Sequence, residues 1–473
     1  MNRSVIRLCA FIAPLALFSQ CCCEERPVVV KTDSAAGAGA SAGAGDVNAV
    51  LPRPAEVERL VSLSRRGKPQ GRLRLGAARL FDPEYFPLVA GRRVAIMANQ
   101  TSRSTVDRLI DDQRTALVAI FAPEHGFWGK QAAGETVTEA SYRGVPVHPC
   151  FGGGDETRRV PAELLKGVDV LLFELQDLGT RHYTFISSMY LAMDSAADAG
   201  IPFVVLDRPV TVNGAAVEGP VLEADCQTFV GVGRLPNRYG MTVGELALLF
   251  KHEAALMDGP RYPRQSDGDA YWNVKDLKLY VVPMTGYDRT RFADEQAGAP
   301  AWVPPSPNIP TPESALCYVG AGLFDGNAIA EMVGGYDQFV FIGLPFVKSA
   351  DELRAFLAAA RRQYDFPGVA LEPYVDFRTR RADLVKLAVT DRSRFNPSCA
   401  ALALLYTEAR EYPDAPFFTS AIGRRSFSLA LGNTWLAALF GAPEKLPPFA
   451  DIVRRLEREV EAFKAVREKY LLY

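Results

Sequence analysis

The chain has 473 residues, more than one hydrophobic core of ordinary size needs, so it is read as two domains or one domain with a large addition. With 53 Lys+Arg against 55 Asp+Glu the net charge is −2, which leaves no basic excess for a polyanion and excludes nucleic acid as the expected partner. Hydrophobic residues make up 48%, and the 38 Gly and 33 Pro follow no fixed period, so collagen-like, solenoid and wholly disordered architectures drop out.

Residues 1–23 read as an export signal: Arg3 and Arg7 precede an apolar run from Leu8 to Phe18 that is too short to span a bilayer. Cys21, Cys22 and Cys23 follow where bacterial lipoproteins carry the acylated cysteine, although Gln20 stands where such signals favour Gly, Ala or Ser. The expected location is therefore outside the cytoplasm, in the periplasm or as an outer-membrane lipoprotein, with membrane contact only through an N-terminal lipid anchor. Residues 24–71 are rich in Pro, Ala, Gly and Ser and read as a disordered tether. Past the signal, four cysteines remain, at 150, 226, 317 and 399, far apart and without the close pairs of a zinc site, so they are read as buried small hydrophobes. The four histidines lack helical metal spacing, and neither a metal nor a cofactor is expected.

From about residue 72 short apolar runs alternate with helical periods. RVAIMAN (93–99), ALVAIFA (116–122), VDVLLFEL (168–175) and IPFVVLD (201–207) have the composition of parallel strands covered on both faces. A helix is expected from Phe185 to Ala199, ending at Gly200, and another from Thr242 as N-cap to Leu256, with Glu245 completing a capping box. The alternation predicts an open α/β sheet, and a second domain is expected past a polar, Gly/Pro-containing junction near 259–270. In that second domain LKLYVVPM (277–284) is expected to be a strand, followed by a Pro-rich loop over 299–312 and helices at 350–364, 397–411 and 448–470.

Ligands of open α/β sheets bind outside the carboxyl ends of the strands, and here those ends are polar. They read Asn99-Gln100-Thr101, Pro123-Glu124-His125-Gly126, Gln176-Asp177 with Arg181 and Tyr183 behind, and Asp207-Arg208. The first of them lacks the glycines of a dinucleotide site, Gly152-Gly153-Gly154 lacks the Lys-Ser/Thr of a P-loop, and no Gly-x-Ser-x-Gly elbow occurs. What remains is carboxylate chemistry with amide and arginine donors, the equipment of sugar recognition and glycoside cleavage. Glu124 is the acid/base candidate, set between a stiffening Pro123 and Gly126, with Phe127 and Trp128 adjacent. Asp177, Asp207, Glu135 and Glu218 compete for the second carboxylate, and spacing does not choose among them.

Eight blocks occur in order: ANQTS (98–102), APEHGFWG (122–129), AGE (133–135), LQDLGTRHYTFISSM (175–189), VLDRP (205–209), NGAAVEGPVL (213–222), RYGMTVGELA (238–247) and WVPPSPNIPT (302–311). Together they resemble the exo-β-N-acetylmuramidase family formerly called DUF1343, from about Arg72 to Tyr473. The resemblance implies an α/β fold with a Rossmann-like open parallel sheet domain over 72–265, a smaller α/β domain over 270–473 and an active cleft between them, and release of terminal N-acetylmuramic acid from peptidoglycan fragments, so the expected partners are peptidoglycan-derived sugars. It implies a catalytic role for Glu124 and substrate contacts from Asn99, Gln100, Arg181, Tyr183, Asn308 and Glu331, to which the strand-end reading adds His125 and Asp177 as catalytic candidates and Asp207 as a substrate contact. The chain departs from the pattern at Trp128 and Val333, where relatives carry Arg, and at Tyr239, where they carry His. Two classes of function therefore stay open: an exo-glycosidase, and a glycan-binding lipoprotein that keeps only the cleft.

Overall fold

A computed structural model describes residues 71–473 except 139, 153–154, 258–272, 415–416 and 419, together with residues 55, 58 and 59. The expected signal, nearly all of the tether and the expected domain junction lie outside the described residues.

The first half is built on a seven-stranded sheet. Its strands are β1 (Arg93–Ala98), β2 (Ala116–Ala122), β3 (Ala140–Tyr142), β4 (Val145–Pro149), β5 (Val170–Glu174), β6 (Phe203–Leu206) and, after the two-stranded ribbon β7 (Glu218–Val221) and β8 (Pro236–Arg238), β9 (Leu279–Val282). The sheet order is β3-β4-β2-β1-β5-β6-β9, and only the β3–β4 edge pair is antiparallel. Every residue of β5 and β6 is buried, as continuous apolar runs require when helices cover both faces. The chain steps outward from β1 to β2 and β4, then returns to place β5 on the other side of β1. The order therefore reverses between β1 and β5, which opens a crevice outside their carboxyl ends.

The helix Phe185–Asp198 stops before Gly200, whose φ of +68° is a left-handed conformation that glycine adopts without strain. The helix Val243–His252 opens on the expected capping box, Thr242 accepting from the Glu245 N–H and Glu245 accepting from the Thr242 N–H. One expectation is corrected. The run at 277–284 does not begin the second domain, because β9 pairs in parallel with β6 and closes the first sheet. The strand-length apolar run was read correctly as a strand, but its partner is set by long-range packing that no local pattern encodes.

The second half carries an antiparallel sheet, β10 (Phe341–Gly343), β11 (Val369–Asp376) and β12 (Arg381–Val389), in the order β10-β12-β11. Around it pack helices Pro312–Ala321, Ala350–Gln363, Pro397–Glu411, Ala421–Leu431, Thr434–Phe440 and Phe449–Arg467. The chain end returns to the first half, where the Tyr473 hydroxyl donates to Asp207 Oδ2 at 2.6 Å and accepts from the Met284 N–H at 2.8 Å. Cys150, Cys226 and Cys317 are buried free thiols and Cys399 is half-buried.

Candidate active site

Because β1, β2, β5 and β6 run parallel, Asn99, Glu124, Gln176 and Asp207 all leave the same edge of the sheet. Their jobs there differ. Glu124 is 9% exposed and accepts two hydrogen bonds, from the Gly134 N–H to Oε1 at 3.0 Å and from the Thr184 hydroxyl to Oε2 at 2.7 Å. One donor belongs to the loop after β2 and the other to the turn that starts the helix Phe185–Asp198, so two segments fix the carboxylate's orientation. The approach of the first is possible because Gly134 adopts φ +76°.

His125 also takes a left-handed φ, +68°, and its Nδ1 pairs with the Gln131 carbonyl at 2.9 Å. Its own carbonyl accepts from the N–H groups of Lys130 and Gln131. His125 thus clasps the turn that presents Glu124.

Asn99 is fully buried, and its Oδ1 accepts from the Thr101 N–H at 2.9 Å and the Thr101 hydroxyl at 2.7 Å, capping the turn after β1 while Nδ2 stays without a partner. Gln100 donates from Nε2 to the Pro304 carbonyl at 2.8 Å and so ties β1 to the Pro-rich loop of the second half. That loop closes on itself through the Trp302 indole N–H and the Pro310 carbonyl, 2.9 Å. It carries Ser306, which acts on Tyr183, and the half-buried Asn308. Tyr183 is buried, and besides burial the fields of Tyr318, Asp177 and Glu124 hold its phenol well above its usual range.

Asp207 and Arg181, both expected to touch substrate, make contacts within the scaffold. Asp207 is fully buried and accepts from the Gly244 N–H at 2.8 Å, the Thr242 hydroxyl at 2.8 Å and Tyr473. It thus stabilises the start of the helix Val243–His252, and burial raises its carboxyl to about 7. A Cβ on Gly244 would lie 2.8 Å from the Asp207 carboxyl carbon, so only glycine permits the approach. Arg181 is fully buried and its Nη2 donates to the carbonyls of Ala430 and Leu431, at 3.2 and 3.1 Å, at the end of the helix Ala421–Leu431. Burial lowers its pKa to about 10, and its Nε and Nη1 have no hydrogen-bond partner among the described residues. Among the other carboxylate candidates, Glu218 pairs with Arg238 at 3.6 Å and Glu135 accepts from the Ala132 N–H at 2.9 Å.

Asp177 remains. It is 5% exposed, accepts from the Gly179 N–H at 2.7 Å and from the Tyr239 hydroxyl, and keeps Oδ1 without a partner. Burial raises its carboxyl to about 6. Tyr239, at the position where the resemblance expects His, is therefore Asp177's hydrogen-bond donor. Val333 is buried and Trp128 half-buried edge-on against Phe127, so neither position offers a cation.

Sequence reading missed three groups. Thr184 lies inside a quoted block yet reveals its role only through the fold. Tyr318, on the helix Pro312–Ala321, sits against His182 with ring centroids 4.6 Å apart, and the carboxyls of Glu331, Glu124, Asp325 and Asp177 all act on its hydroxyl. Asp325 joins Glu331 on the loop after that helix. A hydroxyl that feels carboxyls from both halves marks where the two halves meet over Glu124.

Residues 94–313 match the family described as exo-beta-N-acetylmuramidase NamZ, N-terminal, and residues 316–473 match its C-terminal counterpart. The peptidoglycan beta-N-acetylmuramidase NamZ of Bacillus subtilis (strain 168) is 34% identical over 406 residues, 83% of this chain and 89% of that protein. Two crystal structures of DUF1343 family proteins from Bacteroides fragilis NCTC 9343 superpose with TM-scores of 0.70 and 0.61 at 28% and 25% identity, each covering 85% of this chain and 99% of the other.

Proposed function

Since the chain belongs to the NamZ exo-β-N-acetylmuramidase family and is a glycosidase, we propose that it removes terminal non-reducing N-acetylmuramic acid, or a related amino sugar, from peptidoglycan fragments, with Glu124 as acid/base. The observation that carries this reading is the setting of Glu124. It is nearly buried at the strand edge beside the sheet's reversal point, oriented by Gly134 and Thr184, and shares the neighbour Tyr318 with the second half. Asp177, with one oxygen free of partners, supports the role of a neighbouring carboxylate, and Asn308 that of an amide donor on the opposing loop. Export, with a lipid anchor at Cys21, Cys22 or Cys23, places the enzyme where such fragments form.

The test is release of chromophore from an N-acetylmuramic acid glycoside by wild type and Glu124→Gln. Gln preserves shape while removing proton transfer, so turnover should fall roughly 10²–10⁴-fold. A Gln variant within a few-fold of wild type refutes the role of Glu124, and a wild type that binds the sugar without releasing it favours the glycan-binding reading.

A further inference from the structure

The turn that carries Glu124 also carries an indole that the scaffold leaves partly uncovered. Residues 123–131 close on themselves: the Gly126 N–H donates to the Pro123 carbonyl at 2.9 Å, the Gly129 N–H to the Gly126 carbonyl at 3.1 Å, and the N–H groups of Lys130 and Gln131 to the His125 carbonyl at 3.1 and 3.3 Å. In so tight a loop neighbouring side chains part. Phe127 is fully buried, its ring centroid 5.0 Å from that of Tyr142, whose hydroxyl donates to Asp107 Oδ1 at 2.9 Å. Trp128 stays partly open to solvent. Its ring centroid lies 5.3 Å from that of Phe127 with the planes at 82°, an edge-to-face contact that covers at most one face of the indole. Its N–H meets no acceptor among the described residues, whereas the Trp302 N–H is taken by the Pro310 carbonyl.

Hydrogen bonds place this indole at the cleft. Gly129, the next residue, takes φ +63° and lies so close to the Gln100 side chain that a Cβ there would stand 2.2 Å from Gln100 Nε2. The same Nε2 donates to the Pro304 carbonyl at 2.8 Å. Trp128 thus stands next to the bridge between the strand ends and the Pro-rich loop, and inside the same closed turn as Glu124. Exposure then orders the contacts. Glu124, Asp177 and Tyr183 are 9%, 5% and 6% exposed, so a sugar acted on by Glu124 lies at the inner end, and the rest of the fragment leads outward past the half-open indole.

We propose that Trp128 is the stacking platform for the leaving sugar, the neutral amino sugar that follows the terminal residue of the fragment. The proposal rests on the glycosidase reading above. The C–H groups of a pyranose carry slight positive charge, and the indole face is the most electron-rich surface that a side chain offers them. A Trp supplies a large contact area with only two torsions to fix, and here the packed rings of Phe127 and Tyr142 already fix them. The free N–H can donate to a hydroxyl or to the acetamido carbonyl of the same sugar. Such a contact holds the leaving group while its oxygen parts from the anomeric carbon. It needs no charge, which agrees with a leaving sugar that has none.

Two substrates with the same terminal sugar separate the platform from the turn. One is the disaccharide of N-acetylmuramic acid on N-acetylglucosamine; the other is β-N-acetylmuramyl fluoride, whose leaving group is too small to reach the indole. Trp128→Ala should lower kcat/KM about tenfold or more for the disaccharide and less than about twofold for the fluoride, and Trp128→Phe should recover part of the loss. N-acetylglucosamine, added as the leaving sugar, should quench the indole emission of wild type and leave that of Trp128→Phe unchanged, a readout that does not depend on turnover. Equal losses on both substrates would show that Trp128 only shapes the turn of Glu124, and an unchanged rate on the disaccharide would show that nothing stacks there; either result overturns the proposal. A wild type that hydrolyses neither substrate overturns the glycosidase reading. In that case a quench confined to wild type keeps Trp128 as a sugar platform, and a quench equal in Trp128→Phe removes it.

Discussion

Replacing Arg208 by Met separates a scaffold role from a binding role at the sheet edge. Arg208 is 8% exposed; its Nη1 donates to Glu174 Oε1 at 2.6 Å and to the Thr101 carbonyl at 3.3 Å, and its Nε donates to Gln176 Oε1 at 2.9 Å. Glu174 is 1% exposed, and burial already raises its pKa against the pull of Arg208. Met fills the volume but leaves that carboxylate buried and unpaired, which costs about 3–5 kcal/mol. With a urea slope of about 3 kcal/mol per M, the unfolding midpoint should fall by more than about 1 M at pH 7. Glu174 can then take a proton in place of its lost partner. Because removing Arg208 raises its folded pKa further, the deficit should shrink as the pH falls toward the unfolded carboxyl range. The double variant Arg208→Met/Glu174→Leu should recover most of the loss, since a well-packed apolar pair replaces a buried ion pair at little cost. Urea unfolding of the three proteins at pH 5 and 7, beside KM for the chromogenic glycoside, gives the answer. An unchanged midpoint with a raised KM would mean that Arg208 binds the substrate and that the latch between β5 and β6 is not what holds this edge.

Glu408 is buried on the helix Pro397–Glu411 with neither oxygen well bonded, and burial raises its carboxyl to about 8. Its contribution is full below the unfolded pKa and lost as pH rises through about 8, so Glu408→Gln should raise stability above pH 8, by up to roughly 4 kcal/mol, and flatten the melting temperature between pH 5 and 8; a variant no more stable at pH 9 would refute this. Arg208 pairs with Glu174, Arg238 with Glu218, and Arg181 is fully buried against two backbone carbonyls, so wild type should prefer the muramic over the glucosamine glycoside by less than about tenfold, short of what a charged hydrogen bond supplies. Trp128→Arg should increase that preference, whereas a large, salt-sensitive preference in wild type would refute it by showing that another cation already binds the lactyl carboxylate.

The parallel strands and the edge they share were legible because buried runs such as VDVLLFEL leave few alternatives and because polar residues follow each of them at once. The place of Glu124 at that edge was legible for the same reason. Other parts were hidden by physics that acts at long range. A strand-end Asp reads alike whether it meets a sugar or caps a distant helix, and Asp207 proved to cap one 35 residues later. Arg181 finds its carbonyls some 250 residues away. β11 contains Pro373, which local preference counts against a strand; the sheet tolerates it because β11 is an edge strand. Asp325 and Tyr318 gain meaning only where the loop of one half meets the strand ends of the other.

That meeting is itself held by neutral contacts. The Asn237 amide donates to the Val319 carbonyl at 2.7 Å, His182 Nε2 faces the Tyr318 carbonyl at 3.3 Å, and Gln100 reaches Pro304. Burial and the adjacent Arg181 lower the His182 imidazole to about 3, so it stays neutral through the range in which the cleft carboxyls titrate. The junction that sets Tyr318 over Glu124 therefore does not open or close with pH near neutrality. A change in rate between pH 5 and 8 must then arise from the carboxyls themselves, such as Asp177 near 6 and Asp325 near 7, and not from loss of the geometry that joins the two halves.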